Sequence, residues 1–558
     1  MTYSIDEISD RLEILDKFAR YVHAVDDHCI EFLDEIFLPE TVFDWSTSGG
    51  IRTTWAEAKK GDFITGKLFP YAFHVCTNIV IDFDEGHQSA TARSKTIHPT
   101  GLKGSDEKDM MFQVQGVYVD KLVKTSNGWK FKERIWRDFW AVGPLPKVIV
   151  VGAGPAGLLL SLLLARAGIN VLVLEAAKWL DSQPRATHYA PPAVRELRRA
   201  GVLDEVRARG FITDVICWRK IDGSYLVGLD NRVMKGQPGD DNRVTCLPLD
   251  QLGQILYKHL QKHPQAEVRW SHTVTAVAQD EQEAWVNITT PTGTERASAD
   301  YVVGCDGANS QVRKCLFGDG EFPGKTWEEQ IVATNTYYPF EKYDYEHANF
   351  IIHPEHWYMA SKITTDGCWR VTYGEKLGFT REELLARQPW KFETMLPGHP
   401  TPDQYRITNF SPYKVHQRLA KSMRVGRCLL AADAAHLCNP FGGLGLTGGI
   451  VDVGGLADCL IGIHRGVADS SILDIYDSVR REKYTDIINP ISSANLVRLH
   501  STDPETVINT DPFFRMAKKA ETDVQYARQL ADGINTICYD FTQHYYRNAQ
   551  TTSSMAPE

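Results

Sequence analysis

The sequence has no Cys-x-x-Cys pair, and its 11 cysteines are an odd number. A disulfide framework or a zinc site needs regular cysteine spacings, so reduced thiols are the simplest reading and no metal site is expected. No uninterrupted apolar run reaches the roughly 20 residues that span a bilayer. The best stretch, Val148 to Leu174, is broken by glycines, Pro155 and Arg166. Basic residues are not in excess: 61 Lys and Arg face 71 Asp and Glu, for a formal charge of −10. That argues against a nucleic-acid partner, which calls for a basic field. No repeat is visible. The opening residues MTYSIDEISDRLEIL lack a signal-peptide core, and TTSSMAPE carries no retention or lipidation motif. The expectation is a cytoplasmic chain with no membrane partner.

What is there is enough for a large core. The chain has 558 residues, 43% of them hydrophobic and 24% charged. Two or three domains follow from that length. One boundary is clear, at the stiff AVGPLP stretch over 141–146. Before it, Ile8, Leu12, Leu15, Phe18, Val22 and Val25 have helical spacing, and a second amphipathic stretch covers Ile30 to Phe37. Strand-like runs follow at Thr41 to Trp45, Cys76 to Phe83, Ala90 to His98, Met111 to Lys124 and Trp129 to Trp140. Helices followed by a long sheet read as α+β. We divide the chain into an N-terminal unit, 1–142, a second domain, 147–480, and a helical C-terminal region, 481–558. A sheet-rich insertion is expected within about 215–245 and 326–415 of the second domain.

The strongest local signal is VIVVGAGPAGLLLSLLLARAGINVLVLE, Val148 to Glu175. Gly152, Gly154 and Gly157 stand between a strand and a helix, with Pro155 and Ala156 in the same turn. Gly152 permits the tight turn, Gly154 lets backbone N–H groups approach a pyrophosphate, and Gly157 lets the helix pack on the strand. Glu175 follows Gly157 by 18 residues, at the end of the next strand, where a carboxylate can accept hydrogen bonds from a ribose. This half-site does not choose between FAD and NAD. Two later motifs repeat the strand-to-glycine-turn pattern: YVVGCDGANSQVR, Tyr301 to Arg313, and CLLAADAAHLCNPFGGLGLTGG, Cys428 to Gly449.

In this order and at these spacings, the three motifs resemble the single-component flavoprotein monooxygenases of the para-hydroxybenzoate hydroxylase type, over roughly Lys147 to Arg481. The resemblance implies an α/β Rossmann-type FAD domain with an inserted mixed β-sheet substrate domain and C-terminal helices. It implies that Gly152, Gly154, Gly157 and Glu175 hold the ADP half of FAD, and that Arg185 lies near the flavin. Asp306 and Gly307 would serve FAD and the nicotinamide cofactor. Asp433 would bind the ribityl chain, and Pro440, Gly442, Gly443, Gly445 and Leu446 would line the flavin ring. Tyr476 and Arg480-Arg481 match a tail signature. Three positions depart from the pattern: Ala432 precedes Asp433 where Gly is usual, Thr447 replaces Asn, and Leu249 replaces Gln or Arg.

The implied chemistry is reduction of FAD by NADPH or NADH, reaction with O2 to a C4a-(hydro)peroxide, and oxygen transfer to a small aromatic substrate, or Baeyer–Villiger insertion with a ketone. The halogenase signature Trp-x-Trp-x-Ile-Pro is absent. Groups that could orient a substrate are Arg219, Tyr338, His353, His356 and Arg370; Trp357 and Tyr358 are expected in the core.

The N-terminal unit resembles the SnoaL-like branch of the NTF2-like cone family. The stretches that carry the resemblance are RYVHAVDDH, TVFDWS, FHVCTNIVIDFD and GVYVDKLVKTSNGWKFKERIWRDFW. It implies an α+β cone with a small-molecule pocket, in which Tyr21, Asp26, His74, Asn78 and Asp138 match lining positions. Cys29 replaces a frequent second acid. A bifunctional oxygenase–cyclase or dehydratase, a scaffold cone in a homodimer, and a ligand-binding flavoprotein without turnover all remain open. The fusion points by association to polyketide-like substrates.

Overall fold

The computed structural model describes residues 3–45, 52–61, 71–103, 109–142, 148–181, 186–237 and 242–546. It divides into two compact units, Met1–Leu145 and Pro146–Glu558.

The first unit is a long helix and a seven-stranded mixed sheet. Helix Ile5–Asp26 starts at Ser4, whose Oγ accepts from the Glu7 N–H, a serine N-cap. It buries Ile14, Phe18, Tyr21 and Val25. Ile8, Leu12 and Leu15, expected on that face, are instead exposed. The buried Asp10 takes the inward position near them and accepts from Lys124 Nζ at 2.7 Å and Trp129 Nε1 at 3.0 Å. The stretch after it is a short 3-10 helix, Ile30–Glu35. Strands Val75–Phe83, Ser89–Lys103, Asp109–Thr125 and Gly128–Val142 pair antiparallel in succession, and Phe37–Asp44 joins Gly128–Val142 in parallel.

The second unit is built on a six-stranded sheet in the order Ala266–Trp270, Val171–Glu175, Val148–Val151, Tyr301–Gly304, Cys428–Leu430, Arg424–Val425, parallel except at the last pair. Val148–Val151 is buried on both faces, which explains its unbroken apolar run. Helices Pro155–Arg166 and Leu444–His464 pack on the sheet. The latter is long and apolar enough to cross a membrane, but 83% of its apolar window is buried inside the protein, as in a core helix. An eight-stranded mixed sheet runs Tyr225–Asp230, Val215–Lys220, Ala348–Ile352, Tyr358–Lys362, Cys368–Lys376, Gly324–Tyr337, Arg406–Leu419, His436–Leu437. Trp357 and Tyr358 lie in its cores. After Ser471 the chain is helical to Asp532, including one π-helical stretch at Tyr484–Ile488.

Candidate functional site

All three glycine turns follow the C-terminal ends of neighbouring parallel strands of the six-stranded sheet, as the topology of open α/β sheets directs. Gly152 has φ +103°, and a Cβ there would stand 2.6 Å from the Cys305 carbonyl oxygen. The first turn therefore packs directly on the second. A Cβ at Gly157 would meet the Gly152 carbonyl oxygen at 2.0 Å, so this helix can approach its strand only without a side chain. Gly154 differs: a Cβ there meets no protein atom within 4 Å. The protein gives no packing reason for this glycine, and a bound phosphate would supply one. Glu175 accepts from the Ala153 N–H at 2.7 Å and the Ala177 N–H at 2.8 Å, which holds its carboxylate at the turn.

In the second motif, Asp306 accepts from Ser310 Oγ at 2.5 Å and from the N–H groups of Gln311 and Val312, at the start of helix Gln311–Phe317. Burial outweighs these bonds and raises its carboxyl above the usual range. Gly307 takes φ +75°. Arg313, to which sequence reasoning gave no role, donates to the carbonyls of Ala308 and Ala434 and joins the second motif to the third.

The third motif carries one strained residue. Ala432 has φ +55°, the left-handed conformation that makes glycine usual here. Its Cβ is accommodated because Gly449, on the facing helix turn, has none: a Cβ on Gly449 would stand 2.7 Å from it. Ala432→Gly is expected to stabilise this unit by about 1 kcal/mol, by relieving the left-handed strain. Thermal unfolding checks this, and an unchanged or lower Tm would show the turn to be unstrained. Thr447 accepts from the Ala190 N–H at 3.4 Å, and so ties the helix start to the loop before helix Pro191–Arg199.

These turns open on one cavity of about 1870 Å³. Typical ligand sites occupy roughly 300–1,000 Å³, so this one has room for a dinucleotide and a second molecule. Its lining includes Gly152, Gly154, Pro155, Ala156, Glu175, Asp306, Gly307, Asp433, Pro440, Gly442, Gly443, Gly445 and Leu446. Gly157 lies behind the turn and is buried. Leu249 lines the cavity at the start of helix Leu249–Leu260. Arg185 lies outside the described residues. The far wall is one face of the eight-stranded sheet, whose two-residue alternation presents Ile216 and Trp218, Ala348 and Phe350, Met359 and Ser361, and Arg370 and Thr372.

Of the five groups considered for orienting a substrate, Arg370 lines this cavity. Arg219 is buried elsewhere and donates to Asn349 Oδ1 at 3.1 Å and to the carbonyls of Gly223 and Asp344. Tyr338 donates to the Pro397 carbonyl at 2.5 Å. His353 and His356 stack on each other at 5.0 Å. None of these four is among the lining residues. Sequence reading missed His188, which lines the cavity from the short strand His188–Tyr189. No motif marks it; only the fold brings it there.

The first unit has its own polar interior. His74 Nδ1 is 2.5 Å from Asp26 Oδ1, and the His74 N–H donates to Asp26 Oδ2 at 2.8 Å. His98 lies 4.0 Å from His74, ring to ring, and burial holds it well below the usual imidazole range. Arg134 sits between the rings of Tyr21 and Tyr118, 3.9 Å from each, and 3.6 Å from Asp120. Burial raises the Asp120 carboxyl to about 7 despite that charge. Ser94 Oγ, Thr96 Oγ1, His98 Nε2, both Asp120 oxygens and all three Arg134 nitrogens are buried without a hydrogen-bond partner among the described residues. Asn78 is exposed, with φ +53°, at a break in strand register. The Asp138 side chain lies outside those described.

Residues 146–489 match the FAD binding domain family, and residues 6–135 match the SnoaL-like domain. The chain is 38% identical over 386 residues to para-nitrophenol 4-monooxygenase of Pseudomonas sp. (strain WBC-3), covering 69% of this chain and 94% of that one. It is 36% identical over 360 residues to 6-hydroxy-3-succinoylpyridine 3-monooxygenase of Pseudomonas putida, covering 64% and 90%. The crystal structure of p-nitrophenol 4-monooxygenase from Pseudomonas putida superposes with a TM-score of 0.67 at 36% identity, over 70% of this chain and 98% of that one. Aklavinone-11 hydroxylase with FAD and aklavinone shares the fold, with a TM-score of 0.56 at 24% identity, over 65% and 70% of the two chains. The chain belongs to the FAD-binding-domain family of flavoprotein monooxygenases. It is an FAD-dependent enzyme of that class, with a SnoaL-like domain in front.

Proposed function

We propose that this chain hydroxylates a small aromatic compound, using NADPH or NADH and O2. One observation carries the reading: a single cavity joins the three nucleotide-binding turns to an apolar sheet face. Glu175 would face the adenosine ribose, the turn from Gly152 to Gly157 the pyrophosphate, Asp433 the ribityl chain, and the Pro440–Leu446 loop the isoalloxazine ring. Bound FAD supplies the redox chemistry, accepting reducing equivalents from the nicotinamide and activating oxygen. The N–H groups at the start of helix Leu444–His464 favour negative charge beside that loop. Ile216, Trp218, Ala348, Phe350 and Met359 keep water from the reacting ring and give an aromatic substrate an apolar seat. The two named relatives act on a nitrophenol and a hydroxypyridine, which favours hydroxylation over Baeyer–Villiger insertion.

The test is the visible spectrum of the purified protein, followed by NADPH- and NADH-driven oxygen uptake with a panel of phenols and cyclic ketones. Oxidised-flavin bands with phenol-stimulated uptake support the reading. Stimulation by ketones alone would move it to ring insertion, and a colourless protein that FAD does not reconstitute would end it.

A second reading concerns the first unit. The His74–Asp26 dyad, with buried unpaired polar atoms beside it, favours a base that eliminates water from a bound molecule. His74→Gln should leave oxygen uptake intact and yield a product heavier by one water in mass spectrometry. Identical products from variant and parent would make the cone a binding or scaffold domain.

A further inference from the structure

The apolar wall of the cavity contains a cation with no anion. Arg370, on strand Cys368–Lys376, donates from Nε to Asn335 Oδ1 at 2.8 Å, while its Nη2 is buried and has no hydrogen-bond partner. Among the described residues no carboxylate pairs with it; the titratable groups that favour its charge are Tyr413, Cys368 and Cys246. Burial holds the guanidinium below its usual range. A buried cation without a counter-ion is costly unless something else supplies the negative charge. Other arginines of this unit either have a carboxylate, as Arg480 has Asp452 and Arg387 has Glu375, or place both Nη groups on backbone carbonyls, as Arg219 and Arg313 do.

A second unpaired atom lies in the same cavity. His188 shares a hydrogen bond between Nδ1 and Thr187 Oγ1 at 2.9 Å, and its Nε2 is buried without a partner. The carbonyl of His188 is the atom nearest to a Cβ built on Gly443, at 3.9 Å, so the residue stands beside the loop that would line the flavin ring. Burial lowers its imidazole to about 4, and the charges of Arg370 and His347 add to the effect. It is therefore neutral at neutral pH, and in the tautomer that donates Nδ1–H to Thr187 its Nε2 is an acceptor. One orphaned donor and, in that tautomer, one orphaned acceptor thus flank the space between the sheet and the glycine loop.

We propose that Arg370 and His188 are the substrate-anchoring pair of this cavity, taking a hydroxylated aromatic ring as its anion. The hydroxyl O–H bond breaks, an N–H bond forms at His188 Nε2, and the electron pair stays on oxygen, where it meets the Arg370 guanidinium. The resulting phenolate is the counter-ion that Arg370 lacks. This rests on the oxygenase reading above.

The experiment titrates FAD-loaded enzyme with 4-nitrophenol, whose visible band marks the ionised form, and with 4-nitroanisole, which cannot ionise. The wild type should bind 4-nitrophenol at least tenfold tighter than 4-nitroanisole and lower its apparent pKa by one unit or more. Arg370→Gln should abolish both the preference and the shift with FAD content unchanged. Arg370→Lys should retain part of each, which separates lost charge from a damaged fold. His188→Gln should still bind the preformed anion at high pH and lose the tight binding at low pH, where the probe arrives protonated. Equal binding of the two probes by the wild type, or equal behaviour of the Gln and Lys variants at Arg370, overturns the proposal. Phenol-driven oxygen uptake that survives Arg370→Gln unchanged would remove the anchor and leave the oxygenase standing. A pKa shift without any oxygen uptake would do the reverse.

Discussion

Asp452→Ala is expected to destabilise the FAD unit by about 3–5 kcal/mol, the range for breaking a buried ion pair on one side. Asp452 is fully buried in the middle of helix Leu444–His464. It accepts from His436 Nε2 at 2.6 Å, from Arg480 Nε at 2.7 Å and from the Ala432 N–H at 3.2 Å. Burial pushes its carboxyl up, but His436 and Arg480 outweigh it and hold the group below its usual range. Its folded pKa is thus depressed, so its stabilisation is present above the ordinary carboxylate range, about 3.9, and is lost as pH falls through the folded value. Alanine would leave the Arg480 charge buried, with the Ile537 carbonyl as its remaining partner. It would also release the N–H of Ala432, the residue that holds the strained turn before Asp433. Loss of FAD should accompany the loss of stability. Urea unfolding followed by tryptophan fluorescence measures the first and visible absorption the second. A loss below 1 kcal/mol would mean that water substitutes for the carboxylate.

The second large effect separates two glycines of one motif. Gly157→Ala places a Cβ 2.0 Å from a backbone oxygen, which cannot move without separating the helix from its strand. The variant should be less stable even without FAD, by several kcal/mol as overpacked cores are, and colourless as purified. Gly154→Ala meets no protein atom. Its apoprotein should unfold at the same temperature as the parent apoprotein, while FAD affinity falls at least tenfold. Full flavin content in Gly154→Ala would contradict the assignment of this turn to a pyrophosphate. An undisturbed Gly157→Ala would show that the close approach of helix and strand is dispensable.

The local signals were legible because they are short-range physics. Val148–Val151, Pro155–Arg166 and Val171–Glu175 follow from apolar strands, a proline-started helix and a glycine stop within 30 residues. The departures from the family pattern were visible as letters, but their meaning was not. Ala432 reads as a defect until Gly449 is seen against it, and Thr447 as a lost contact until it accepts from Ala190. The helix of the first unit shows the opposite failure. Ile8, Leu12 and Leu15 have the right spacing for a buried face, yet Asp10 is inside and they are not. Periodicity counts apolar residues and cannot foresee that Lys124 and Trp129 satisfy a carboxylate from strands a hundred residues away.

The sequence alone determined the class of the enzyme, its cofactor and the two kinds of unit, since strand–turn–helix motifs are set by neighbours in the chain. It also marked residues that line the cavity, among them Gly152, Gly307, Gly442 and Gly443, whose positive φ calls for glycine. Only the tertiary structure decided which polar residues line the cavity. Arg219, Tyr338, His356 and Arg370 are indistinguishable as polar residues in a predicted sheet; Arg219 and Tyr338 are buried on hydrogen-bond partners elsewhere, His356 stacks on His353, and Arg370 alone of the four lines the cavity. His188 and Arg370 are distant in sequence and gain meaning as unpaired groups in one enclosure. A group's solvation and its missing counter-ion are properties of the packed interior, and no local pattern records them.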